Sequence, residues 1–228
     1  MRILALETST EYCSVALWQD GKVTSRYELV GQRHSELLIE FLDSLLDEAG
    51  VKLAQLDGIA YGMGPGSFTG VRIACGVAQG LALGAGLPTV GVCTLQALAQ
   101  AAGYDKVIAA LDARMGEIYH AVYEKRAGKW VAVCAPNLCL PQHAPAVPGS
   151  GWFGAGSGFA MHGAALSECY AGQLSGSDAE ALPQASAIAQ IAAPLFAEPS
   201  FVPGQGADAA LAMPLYLRDK VALKTSER

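Results

Sequence analysis

This chain has little charge, few histidines and no paired cysteines, and each shortage excludes something. Charged residues make up 16% of 228, and the net charge is −6. A protein that grips nucleic acid by itself carries a basic stripe, because its cations must replace the counterions on the phosphates. Here the basic residues are scattered, and the densest pair is Lys125-Arg126. Independent nucleic-acid binding is therefore not expected. The cysteines are Cys13, Cys75, Cys93, Cys134, Cys139 and Cys169, with no Cys-x-x-Cys among them. That pattern fits reduced, buried thiols in a cytoplasmic protein rather than a disulfide framework or a zinc site. The histidines are His34, His120, His143 and His162, and no two lie three or four residues apart. A metal pair on one helix face is thus missing. No local Ser-His-Asp or Cys-His signature supports a hydrolase. There is no Gly-Lys-Ser/Thr of a Walker A loop. The Gly-x-Gly-x-x-Gly spacing also fails, because Ser67 and Thr69 stand where the last glycine belongs. The N-terminus has no signal-peptide pattern. The most membrane-like run, Val71 to Leu87, holds Arg72, Gln79 and four glycines, so no membrane span is expected.

What the chain does have is apolar material, 52% of its residues, which is ample for a core. Apolar runs predict strands at Ile3 to Leu6, Cys13 to Trp18 and Val23 to Leu29, the last two joined by an Asp20-Gly21 hairpin. A helix follows from His34 to Ala49, closed by Gly50. A strand near Asp57 to Tyr61 leads into Gly-Met-Gly-Pro-Gly-Ser-Phe-Thr-Gly-Val-Arg at Gly62 to Arg72. Three glycines in five residues let backbone come close to a ligand or to another backbone. Ser67 and Thr69 can cap the helix that runs on to Ala85. A short strand, Thr89 to Val92, and a short helix, Leu95 to Ala102, complete the first half.

The pattern then starts again. Val107 to Leu111 ends in Asp112 as Ile3 to Leu6 ends in Glu7, and Gly128-Lys129 echoes Gly21-Lys22. Pro136 to Gly151 holds four prolines and reads as an extended surface segment. Phe153 to Gly158 is glycine-rich, and Ala185 to Phe196 has a helical pattern. The near-constant offset suggests an internal duplication, with residues 1–103 as one lobe and 104–228 as the other.

The Gly64-Pro65-Gly66-Ser67-Phe68-Thr69-Gly70-Val71-Arg72 stretch resembles the signature of the TsaB (YeaZ) family, and Pro214-Leu215-Tyr216-Leu217-Arg218 resembles its C-terminal motif. The resemblance implies an α/β fold of the actin-like ATPase superfamily, with two β-β-β-α-β-α halves and a divergent second lobe. It implies a non-catalytic partner of TsaD, acting with TsaE, in making threonylcarbamoyladenosine at position 37 of tRNA. Transfer chemistry would belong to TsaD, and tRNA would be met only indirectly. No cofactor is expected in the isolated chain, with ATP or ADP entering at the level of the complex. The rivals on this fold are an ATP-dependent small-molecule kinase and a glycoprotease-like metallopeptidase. The bulky second phosphate loop counts against the kinase, and the missing histidine pair counts against the metallopeptidase.

Two groups of site residues follow. Glu7, Thr8 and Ser9 would form the first phosphate loop of a vestigial cleft, with Asp112, Arg114 and Glu117 in the second. Alternatively, the two strand-end carboxylates simply cap turns. The first helix carries an apolar stripe of Leu37, Leu38, Phe41 and Leu45 beginning at His34. The second carries Gly76, Gly80 and Gly84 four apart, beside Ile73, Val77 and Leu81. Interior helix glycines destabilise by about 0.5–1 kcal/mol each, so close contact with another element is the natural compensation. That element is either the lobe's own core or a subunit: TsaD, or a second copy of the chain when TsaD is absent.

Overall fold

The computed structural model describes residues 1–198 and 209–218. Two five-stranded sheets carry the chain. The first contains β1 (Arg2–Glu7), β2 (Tyr12–Gln19), β3 (Lys22–Leu29), β4 (Gly58–Gly64) and β5 (Thr89–Cys93), in the order β3-β2-β1-β4-β5. The second contains β6 (Lys106–Asp112), β7 (Ile118–Arg126), β8 (Lys129–Cys139), β9 (Trp152–Ala155) and β10 (Leu174–Asp178), in the order β10-β9-β6-β7-β8. Read from the opposite edge, the second order is the first one repeated. In each sheet the leading strand pairs antiparallel with the next and parallel with the fourth. The duplication also reaches the turns. Asp20-Gly21 and Ala127-Gly128 both carry two successive positive φ angles, as two-residue hairpins require.

The helices are α1 (His34–Ala49), α2 (Phe68–Ala85), α3 (Thr94–Ala102), α4 (Ser157–Cys169) and α5 (Ala185–Phe196). Alternation along β1 sorts its side chains onto two faces. Leu4 and Leu6 meet α1 and α2, whereas Ile3 and Ala5 meet α5. In the second sheet Ile108 and Ala110 meet α4, whereas Val107, Ala109 and Leu111 meet α3. The last helix of each half thus covers the other half's sheet. The fully buried His120 of β7 faces the end of α4. Its Nε2 is 2.8 Å from the Tyr170 hydroxyl, which donates to the Pro145 carbonyl. Burial pushes this imidazole down to about 4, so it is neutral at physiological pH.

The second half departs from expectation at β8, at β9 with α4, and at β10, a strand for which the sequence carried no signal. Pro136 to Cys139 belong to β8 and not to a surface segment. β8 is an edge strand, and its register against β7 shifts between His120 and Val122. Such a bulged edge accommodates a residue without an N–H. The glycine-rich stretch holds β9 and the start of α4, which the sequence pattern did not reveal. α4 buries only Gly158, Phe159 and Leu166 and is interrupted at His162, so it has almost no amphipathic period.

Candidate functional site

The glycine loop closes on the β1–β2 turn. Gly62, Gly66 and Gly70 all face it. A Cβ at Gly62 would run into the Glu7 carboxylate, one at Gly66 would lie 2.6 Å from the Ser9 Cβ, and one at Gly70 would run into the Thr8 carbonyl oxygen. Thr8 Oγ1 donates to the Gly70 carbonyl at 2.7 Å, and the Ser67 N–H donates to the Ser9 carbonyl at 2.8 Å. Gly64 holds φ +100°, open to glycine alone among common residues, and Pro65 follows it, buried. Ser67 is the N-cap of α2, its Oγ accepting from Gly70 N–H. Thr69 lies exposed within the first turn rather than capping it. The signature is therefore a packing device that brings β4, α2 and the β1–β2 turn into backbone contact.

That contact decides what the first expected phosphate loop can do. Glu7, Thr8 and Ser9 are all buried, and the loop is sealed by its own chain. Glu7 Oε1 accepts from the Ser9 N–H, and Oε2 has no partner. Burial raises the carboxyl above its ordinary value, against the lowering effect of the Ser9 contacts. These residues do not fit a phosphate group. Asp112 does the same local work in the second half, its Oδ1 accepting from the Arg114 N–H. Both carboxylates therefore cap turns two residues long. They do not converge on one site. Glu7 shares the β1 face of Ile3 and Ala5, whereas Asp112 shares the β6 face of Ile108 and Ala110 and meets α4 through His162, 3.7 Å away. Ile3 and Val107, which hold the equivalent faces toward α5 and α3, lie 104 residues apart, whereas Glu7 and Asp112 lie 105 apart, and a slip of one residue moves a strand side chain to the opposite face. Glu117 is paired with Arg218 at 2.8 Å.

The partner-face residues also divide. His34, Leu38, Phe41 and Leu45 are buried in the first lobe, correcting the expectation that they line an outer surface. α1 needs its whole stripe to cover β2 and β3, and His34 Nε2 is 3.1 Å from the Tyr12 carbonyl at the helix start. Leu37, Ile73, Val77 and Leu81 are half-buried against the same core. Gly76 and Gly80 are exposed, and a Cβ at Gly76, Gly80 or Gly84 would meet nothing within 4 Å. The described residues offer these glycines no compensating contact. α2 buries Val71, Ala74, Cys75, Ala78 and Ala82 on its other side. By length and composition it could cross a membrane, but its inner face is a wall of the first core.

Phe68 and Arg72 continue the same four-residue spacing toward the N-terminus of α2. Phe68, Arg72, Gly76, Gly80 and Gly84 thus form one exposed row. The Arg72 guanidinium lies 3.5 Å from the Phe68 ring centroid, and Nε donates to the Tyr216 hydroxyl at 2.6 Å. Tyr216 belongs to the C-terminal motif, and this pairing joins the two sequence signatures in space. Sequence separation hid it. Among the described residues no three histidine, cysteine or acidic side chains could hold a metal ion.

Two duplicated lobes of this topology, each covering the other's sheet with its last helix, define an actin-like fold of the ATPase superfamily. Comparison with known proteins narrows the class. The sequence model of the family described as "TsaD: tRNA N6-adenosine threonylcarbamoyltransferase" matches residues 27–223. The chain is 41% identical to the Escherichia coli strain K12 "tRNA threonylcarbamoyladenosine biosynthesis protein TsaB", over 98% of this chain and 97% of that one. It is 37% identical to the Haemophilus influenzae protein of the same name, over 98% and 96%. The solved structure "YeaZ from Pseudomonas aeruginosa" superposes with a TM-score of 0.82 at 39% identity, covering 95% of this chain and 99% of that one. The chain belongs to the TsaB (YeaZ) family.

Proposed function

We propose that the chain is the non-catalytic dimerisation and activating subunit of the tRNA N6-adenosine threonylcarbamoyltransferase complex. It pairs with TsaD and acts with TsaE in forming threonylcarbamoyladenosine at position 37. The observation that carries this reading is the exposed row on α2. Its Gly76, Gly80 and Gly84 stretch carries no charge, and no described residue covers it. A helix laid along Gly76, Gly80 and Gly84 could bring backbone to backbone, which is the use that offsets three interior glycines. The names carried by the relatives supply the pathway.

A supporting rather than catalytic role follows from the sealed Glu7-Thr8-Ser9 turn and the lack of a histidine pair. On this reading ATP or ADP enters only at the level of the complex, and tRNA is met through TsaD. Two copies of the chain pair through the same row when TsaD is absent. The setting is the cytoplasm. The test is reconstitution of tRNA modification from purified TsaD, TsaE and the threonylcarbamoyl donor, with and without this chain. Full modification without it, or no co-purification with TsaD, would overturn the proposal.

A further inference from the structure

The C-terminal segment crosses from one lobe to the other. On the first-lobe side, the Leu215 N–H donates to the Met63 carbonyl at 2.7 Å, at the end of β4. Tyr216 accepts from Arg72, and its ring lies 6.0 Å from that of Phe68. Two residues later the chain has reached the β6–β7 turn. Arg218 Nη2 lies 2.8 Å from Glu117 Oε2 and 3.0 Å from the Ala113 carbonyl, while Nη1 is 3.2 Å from Met115 Sδ. That turn holds three successive positive φ angles, at Arg114, Met115 and Gly116. Non-glycine residues keep such a conformation only where surrounding contacts hold them. Arg218 grips both ends of the turn, at Ala113 and Glu117. Its side chain is mostly buried, so the pair is shielded from water more than a surface salt bridge is.

Among the described residues, no hydrogen bond or ion pair joins the glycine loop, 62–72, directly to the turn at 112–117. Residues 215–218 make the link. Tyr216 also touches Phe68 and Arg72, which begin the exposed row of α2. We propose that Leu215 to Arg218 form an inter-lobe clasp, coupling the α2 row of the first lobe to the strained β6–β7 turn of the second. Whatever covers that row meets the clasp at its first two residues, and a displacement there is passed to the second lobe. The clasp is a property of the chain alone and holds whether or not TsaD is the occupant.

Hydrogen exchange read by mass spectrometry on the full chain tests this. Arg218→Glu is expected to speed exchange about tenfold in 112–117, the effect of losing a charged hydrogen bond. It is also expected to speed exchange in 62–72, to which Arg218 makes no hydrogen bond or ion pair. The swap of Glu117→Arg with Arg218→Glu rebuilds the ion pair but not the donor to the Ala113 carbonyl, so it should return 62–72 toward wild type and 112–117 in part. Tyr216→Phe removes only the hydroxyl that accepts from Arg72, and it should loosen 112–117 from the opposite end. If Arg218→Glu speeds exchange only in 112–117, Arg218 is a local cap and the clasp is wrong. Should that variant unfold altogether, Tyr216→Phe decides alone: unchanged exchange in 112–117 overturns the proposal.

Discussion

Glu7 shows how a buried residue sets a pH dependence. Its carboxyl is 1% exposed, one oxygen is bonded and the other is orphaned. Burial raises its folded-state pKa above the ordinary 4.5, so the folded chain holds the proton more tightly than the unfolded chain does. The associated stability is complete below about pH 4.5 and is lost as pH rises through the raised value. Glu7→Gln removes that loss. Its melting temperature should gain on wild type from pH 4.5 toward pH 8, and parallel melting curves across that range would refute the reading. The glycines make a matched pair of tests at the same scale. Gly70→Ala forces a methyl into the Thr8 carbonyl, and overpacking of this kind destabilises by about 1–3 kcal/mol. Gly76→Ala meets open space and should stabilise by about 0.5–1 kcal/mol through helix propensity. Chemical denaturation of the two variants should move in opposite directions.

α1 and α2 are both long helices with an apolar stripe, and they differ as elements. α1 spends its stripe on the core and sets Glu36, Glu40, Asp43, Asp47 and Glu48 outward, while α2 has Arg72 as its one charge and leaves Gly76, Gly80 and Leu83 exposed. Phe41→Ala should therefore behave as a core truncation and destabilise the isolated chain by about 3–5 kcal/mol. Gly80→Leu should leave the isolated chain as stable as wild type or about 0.5–1 kcal/mol more so. It should abolish TsaD binding and tRNA modification, because leucine on the row holds two backbones apart. Thermal melts with pull-down on TsaD separate the two cases. A Gly80→Leu chain that still binds and supports modification would show that the row is not the docking face.

At the scale of the whole molecule, the two halves are not independent. α3 completes the second core and α5 the first, so neither sheet keeps both covers if its partner half opens. The chain should melt in one transition, with calorimetric and van't Hoff enthalpies agreeing, although duplicated lobes invite two. Two resolved transitions would mean that the exchanged helices contribute little. Removing residues from 185 onward strips Ala185, Ile188, Ala189 and Ala192 from Ile3, Ala5 and Ala60. That truncation should bare this face of the first sheet while α1 and α2 still cover the other, and a thermal melt should show a clearly lower transition than the full chain.

The sequence by itself determined the elements with a strong period and clear punctuation. α1 begins at His34 and stops at Gly50, and the hairpins turn at Asp20-Gly21 and Gly128, because these signals are local. It also determined the family, through two short motifs about 140 residues apart, at 64–72 and 214–218. Only the tertiary structure decided which face each element presents. The one-residue slip between Glu7 and Asp112 is invisible in a list of strand ends, yet it sends the two carboxylates to different faces. β9 and α4 were hidden because glycine and alanine pack closely without leaving a hydrophobic period. The pairing of Arg72 with Tyr216 spans 144 residues, and no local pattern encodes a contact that chain folding alone brings together. Likewise, Gly76, Gly80 and Gly84 were legible as a row, but whether the row was filled or open depended on what the rest of the chain placed beside it.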